Sequence, residues 1–576
     1  MALAATREPG VLAGLLDCPQ SEVEQALATL DREEHGGVDP LAAAARWLQQ
    51  APEHAGRAVT RAMAWHLKQD QAHWAARIVL AFGTPAQAAG VLARAGWQLI
   101  YRADRALAGE LLDRIALVPQ ADEPGLQLLR LVWQIEVERL PHAAERALQH
   151  ALLADVPTQA LLRSRILQMY DDPAQALACA RVAVEAFDDD LLPQALLARY
   201  ALGFALLETG RPRDAVPPLQ RVVHAAVRDG MPALALDALM VLARVHEELG
   251  DAAAVQRTVS AARALATEPG LQALPALKGL ERLQRRRAQR AQRQLDEPAL
   301  APAEASGSYG AFPHQVLDAV DALLAGSNDE AARQLSVLEQ RLASAFHCRK
   351  WRIEFQTAQL FLAARQNRRR ALLAAAGEAT RSDDDCTLYD LQHAVITAAA
   401  AALAGVLQPA SDLARLDSRL VRSELVLQRR RLTLVRALDP AADPALLLDW
   451  LRQGAADGDV LDALWLAPQL AGRLDALLAA PLSVQHDPER ELAQRLLSRM
   501  LAPETAPPAP GSKPPADLTP REWEILQLIG ARLSNEQIAT RLFVSLATVK
   551  THINRIYGKL GIAARAEAVQ RVRELS

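Results

Sequence analysis

Apolar residues recur three and four positions apart along most of this chain, the period of helices with one buried face rather than of strands. The clearest unit runs from Leu202 to Val222. Leu202, Gly203 and Phe204 lead to Gly210, a polar turn passes through Asp214, and Ala215, Leu219 and Val222 resume the apolar stripe. Small residues at the middle of each half predict two helices that cross closely. Forty residues later Gly250, Val255, Val259 and Ala262 occupy equivalent places, and thirty-nine residues earlier Ala176, Ala180 and Ala183 do so less distinctly. Trp65 and Trp97 stand 32 apart, each followed by a polar turn and another Ala/Leu-rich helix. A lone hairpin of this kind cannot bury its apolar face, so successive hairpins are expected to stack into a superhelix with a concave surface. The predicted fold class is all-α, with an irregular helical bundle as the rival to a solenoid.

The hairpin spacing is tetratricopeptide-like. The repeat region is assigned to residues 39–295, and a Pro/Ala/Ser/Gly-rich linker follows at 296–312. A second helical array is expected over 313–501, where Trp351 to Ala375 and Ala445 to Ala480 read as amphipathic helices without a clean period. Residues 502–517, rich in Pro and Ala, read as an extended tether.

Beyond the tether, residues 518–576 carry three short amphipathic segments with their own start signals. Thr519, Pro520 and Glu522 supply a cap, a first-turn proline and an N3 carboxylate; Ser534 with Gln537 repeats the arrangement, and Ser545 caps a third helix after Leu542, Phe543 and Val544. So short a link forces the last two helices to cross, the pattern of a helix-turn-helix. On the third helix Val549, Ile553, Ile556 and Leu560 share one side, and Ala547, Lys550, Thr551, Asn554, Arg555 and Gly558 share the other. That second side holds no acid, unlike an ordinary solvated helix, and suits a polyanion. Lys550 and Arg555 can neutralise phosphates or reach guanine, Asn554 can pair with adenine, and Thr551 can meet a base or a phosphate. The candidate DNA-contacting set is Ser534, Asn535, Ser545, Thr548, Lys550, Thr551, His552, Asn554, Arg555 and Lys559. A three-helix cap whose basic face touches nothing is the bland alternative.

Charge is divided in the same sense. Residues 518–576 hold nine Lys or Arg against five Asp or Glu, +4, so the −4 of the whole chain leaves −8 for residues 1–517. An acidic body behind a basic head disfavours indiscriminate attachment to DNA.

Other chemistry is thinly represented. Cys18, Cys179, Cys348 and Cys386 are scattered, without zinc or disulfide spacing. The acidic runs 188–190 and 382–385 read as solvated helix turns rather than ion sites, and the Arg-rich stretch from Arg282 to Arg293 as an exposed helix end. His66 beside Trp65 and His73 beside Trp74 read as packing residues. No nucleophile, base or paired-carboxylate pattern stands out, so no catalysis and no cofactor are assigned. No long uncharged apolar run and no basic-then-apolar leader is found, so a cytoplasmic protein without a membrane partner is expected.

Residues 518–575 resemble the DNA-binding domain of the LuxR family of bacterial transcription regulators. The resemblance implies a four-helix domain whose third helix enters the major groove, with recognition on Lys550, Thr551 and Asn554, and pairing of two copies through Arg565 to Leu575. Arg532 stands where glycine is usual, and Ala563 and Ala564 replace a usual capping residue. A helical repeat array ending in such a domain resembles the MalT-like group of large LuxR-family regulators, in which an ATPase module and a winged-helix segment come first. Residues 1–38 are assigned as a helical cap or a winged-helix-like remnant. The six lysines, Lys68, Lys278, Lys350, Lys513, Lys550 and Lys559, include none in a phosphate-binding loop, so the ATP switch is not carried over. The expectation is a sequence-specific regulator that binds double-stranded DNA as a homodimer, with a small-molecule or protein effector on the repeats and RNA polymerase as a further candidate partner. Two alternatives stay open: an interaction scaffold with a vestigial DNA-binding domain, and a fragment of a larger ATP-gated regulator.

Overall fold

The computed structural model describes residues 13, 19–25, most of 52–283 and of 311–501, and, at the carboxy-terminal end, 522, 525, 526, 529, 535, 546–560, 562 and 568. Among the described residues every regular element is helical and no strand occurs. The first array comprises α1 (Pro52–Lys68), α2 (Ala72–Phe82), α3 (Pro85–Ile100), α4 (Ala106–Arg114) and α5 (Pro124–Trp133), followed by α6 (Val156–Met169), α7 (Pro173–Ala186), α8 (Pro193–Glu208), α9 (Pro212–Arg228), α10 (Pro232–Glu248) and α11 (Ala252–Leu265). The second comprises α12 (Ala311–Leu324), α13 (Asn328–Leu342), α14 (Arg349–Arg365), α15 (Arg369–Ala376), α16 (Leu388–Leu403), α17 (Ala410–Arg422), α18 (Val426–Ala437), α19 (Pro444–Asp457), α20 (Ala467–Ala479) and α21 (Pro488–Leu501).

Local sequence sets the helix ends. Proline opens α8, α9 and α10, where no backbone N–H is needed, and the carboxylates of Asp155, Asp172 and Asp251 accept from the N–H groups of Thr158, Gln175 and Ala254 at the starts of α6, α7 and α11. Gly210, Gly230 and Gly250 close α8, α9 and α10 with φ near +72°, a conformation glycine adopts without a Cβ penalty. After each, the next N–H reaches back five residues, Arg211 to Leu206, Met231 to Ala226 and Asp251 to His246, at 2.8–2.9 Å. The twenty-residue recurrence of this stop is what makes the hairpin repeat forty residues long.

The positions singled out by spacing are the ones that pack. Ala176, Ala180 and Ala183 of α7, Ala215, Leu219 and Val222 of α9, and Val255, Val259 and Ala262 of α11 are all at most 1% exposed. A Cβ on Gly203 would lie 2.5 Å from Leu219 Cγ, so α8 and α9 cross with backbone against side chain. Consecutive helices from α6 to α11 pack in order, and α6 also meets α8 and α8 meets α10, the neighbour relations of stacked hairpins. At the front, Trp65 and Trp97 are half-buried on α1 and α3. His66 is fully buried, held at 2.8 Å by Gln71 Oε1 with its ring 4.7 Å edge-on from Trp65. Burial lowers its pKa, as expected of a packing histidine.

One polar cluster lies inside the first array. Arg165 on α6 is 4% exposed, meets both carboxylate oxygens of Glu136 at 2.7 and 2.9 Å, and stacks 4.7 Å over Tyr200. Glu136 sits on a single π turn, Gln134–Glu138, that extends α5. Neither periodicity nor spacing announced this pair.

The second array packs on the first. Leu388, Leu391 and Val395 of α16, Leu420 and Leu425 of or after α17, and Leu432 of α18 join the same buried cluster as α8 and α10. Tyr389 donates to Glu208 at 2.7 Å, and the amides of Gln392 and Gln428 donate to Glu248 at 3.0 and 3.1 Å, all in buried positions. The two arrays therefore share a core across the stretch read as a linker, whose residues 296–310 lie outside the described ones. The tether, the runs 188–190 and 382–385 and most of Arg282 to Arg293 also lie outside the described residues, as does all but 13 and 19–25 of residues 1–38. No helix among the described residues is long and apolar enough to cross a membrane.

Candidate nucleic-acid interface

The carboxy-terminal domain is anchored by α22 (Leu546–Leu560). At about 100° per residue, Val549, Ile553 and Ile556 fall within about 60° of one another, while Thr551, Arg555 and Gly558 fall on the far side. Burial follows that arithmetic. Val549 and Ile556 are 0% exposed and Ile553 6%, alongside Ile525, Leu526, Ile529 and Ala568 at 0%. Thr551, Arg555 and Gly558 are exposed. Leu560, expected on the buried side, is only partly buried, as is Tyr557. The N–H of Ile562 reaches back to Tyr557 O at 3.1 Å and closes the helix.

Of the sequence-derived candidates, Thr551 and Arg555 stand together on the outward face, four residues and therefore one turn apart. His552 is half-buried, with its Nδ1 shielded and without a hydrogen-bond partner among the described residues. Asn535 is helical and half-buried. Thr548, Lys550 and Asn554 are described only as part of the α22 backbone, and Ser534 and Ser545 lie outside the described residues, as does the expected cap at Thr519.

Lys559 has a structural engagement that sequence reading missed. Its ammonium lies 2.6 Å from Glu522 Oε2; the carboxylate side chain is 5% exposed and the lysine 38%. Glu522, read from sequence as an N3 capping residue, thus ties the first helical segment of the domain to the last turn of α22. The two residues are 37 apart in sequence, so no local signal could have linked them. The tie joins the last turn of α22 to the segment that supports it.

A helix buried along one side, tied at its end by an ion pair and acid-free throughout fits the third helix expected of a helix-turn-helix domain. Residues 516–572 match the family model described as bacterial regulatory proteins, luxR family. The chain therefore carries a LuxR-family helix-turn-helix domain at its carboxy-terminal end. Over 82 residues it is 45% identical to the HTH-type transcriptional regulator MalT of Klebsiella pneumoniae, an alignment covering 14% of this chain and 8% of that relative. In this segment the chain is MalT-like.

Proposed function

We propose that this chain is a sequence-specific DNA-binding transcription regulator of the LuxR family, with α22 as the element that enters the major groove. The observation that carries the reading is the outward face of α22: it lies opposite buried Val549, Ile553 and Ile556, and α22 contains no Asp or Glu at all. Lys550 and Arg555 serve phosphates or guanine edges, Asn554 an adenine edge, and Thr551 either. Ser534, Asn535, Ser545, Thr548 and His552 are assigned as further DNA contacts on the sequence pattern alone. Lys559 acts through Glu522, as a tie on the last turn of the helix rather than as the principal phosphate contact. Two copies bind together on DNA, and the stacked helical arrays receive a small molecule or a protein that alters pairing or access to the head. RNA polymerase is the partner a bound regulator would contact.

Selection of DNA from a random pool by the intact chain tests the reading. A reproducible motif supports it; a scaffold with an inert head enriches none. On the selected site, Asn554→Ala should relax preference at one base pair by about 1–3 kcal/mol, and Lys550→Ala should weaken all sequences alike and flatten the salt dependence by about 0.9 in slope. Loss of neither property would overturn the assignment of roles.

A further inference from the structure

Within the second array a cavity of about 540 Å³ lies among α13, α14, α15 and α16. Its wall is aliphatic at Leu335, Leu360, Ala363 and Ile396, and polar at Ser336 and Gln359. Two exposed, oppositely charged side chains, Glu339 and Arg368, also line it. Their places along the groove follow from the topology. The Arg365 guanidinium donates to Leu323 O and holds the end of α14 beside the end of α12, and α13 begins five residues after Leu323. The end of α14 thus meets the start of α13, and the two helices run antiparallel. Arg368 follows directly, after Asn367 turns the chain at φ 52°. It therefore sits near Ala332, at the amino-terminal end of α13, whereas Glu339 is seven residues further along that helix, about 10 Å at 1.5 Å per residue.

A groove lined by a cation and an anion that are rooted about 10 Å apart along it, with aliphatic walls and amide and hydroxyl groups between, suits a zwitterionic ligand with an apolar middle. Three extended residues of polypeptide span about 10 Å. We propose that this cavity binds a short zwitterionic peptide of about three residues, its carboxylate on Arg368, its ammonium on Glu339, and its central side chain against Leu335, Leu360 and Ile396. A guanidinium can hold a carboxylate through two parallel hydrogen bonds, which makes Arg368 the stronger pole. Binding here stands on the cavity alone; its use as a regulatory signal rests on the sensing role proposed above.

Isothermal titration of the full chain with the tripeptide Ala-Leu-Ala, beside its N-acetyl, C-amide and doubly capped forms, tests the inference. The uncapped tripeptide should bind, and each cap should weaken it by roughly tenfold, the size of one charge-assisted contact. The C-amide should cost nothing further on Arg368→Gln, nor the N-acetyl group on Glu339→Gln. Ala374→Trp, placing an indole at an exposed lining position, should abolish binding. Equal affinity for the doubly capped peptide, undiminished binding to Ala374→Trp, or no heat at millimolar tripeptide would each overturn the proposal. DNA binding by the same samples, followed by fluorescence anisotropy, reports separately on the reading head, so a failure there leaves the cavity result standing.

Discussion

The Glu522–Lys559 pair separates a structural lysine from a phosphate-contacting one. Replacing Lys559 by Met keeps its aliphatic stem and removes the charge 2.6 Å from a carboxylate whose side chain is 5% exposed. Leaving such a carboxylate without its cation costs about 3–5 kcal/mol for a fully buried pair. Lys559 is 38% exposed, so water screens part of the interaction and the loss should fall between the values for surface and buried pairs, about 2 kcal/mol. At about 1.4 kcal/mol per tenfold, amide protection in peptides covering residues 546–560 should fall by roughly thirtyfold in hydrogen exchange of the full chain. Glu522→Gln combined with Lys559→Met removes the carboxylate charge as well and should recover at least half of that loss. Arg555→Ala should leave protection unchanged and reduce the salt slope of DNA binding by about 0.9. If Lys559→Met instead lowered the salt slope with protection intact, Lys559 would be a phosphate contact and the tie would be wrong.

Three further outcomes test the body of the protein. Gly203→Ala places a methyl 2.5 Å from Leu219 Cγ and should destabilise the first array by about 1–3 kcal/mol, an effect reduced when Leu219→Ala makes room, as a urea-denaturation cycle would show. Glu136→Gln removes the anion from the buried Arg165 guanidinium, leaving it Gln168 and the Tyr200 ring, and should cost about 3 kcal/mol in the same assay, more than Glu136→Gln paired with Arg165→Met. Burial pushes the Glu248 carboxyl up to about 6, against the opposing pull of Arg431 and of the Gln428 amide. The folded chain therefore holds this proton more tightly than the unfolded chain, so the stability it contributes is present below about 4.5 and is lost as pH rises through about 6. Urea midpoints measured from pH 4.5 to 7 should lose that part of their pH dependence in Glu248→Gln.

Much of the candidate interface was legible because its signals are local. Val549, Ile553 and Ile556 lie on one side of a helix whatever surrounds it, and so do Thr551 and Arg555 on the other. Leu560 departs from the pattern because it occupies the final residue of α22, where the chain is already turning away toward Ile562. The Glu522–Lys559 tie was not legible, since each residue had a plausible local role and only folding brings them together.

The same division holds across the chain. Helix periods, proline starts, glycine stops every twenty residues and the acid-free face of α22 are written in the sequence, because each depends on neighbours within a turn or two. The shared core of the two arrays, the Glu136–Arg165 pair and the polar bridges from Glu208 and Glu248 to Tyr389, Gln392 and Gln428 were decided by tertiary structure. Their partners lie 29 to 181 residues apart, and a buried charge or amide finds its match only when stacked helices bring distant segments within hydrogen-bond reach.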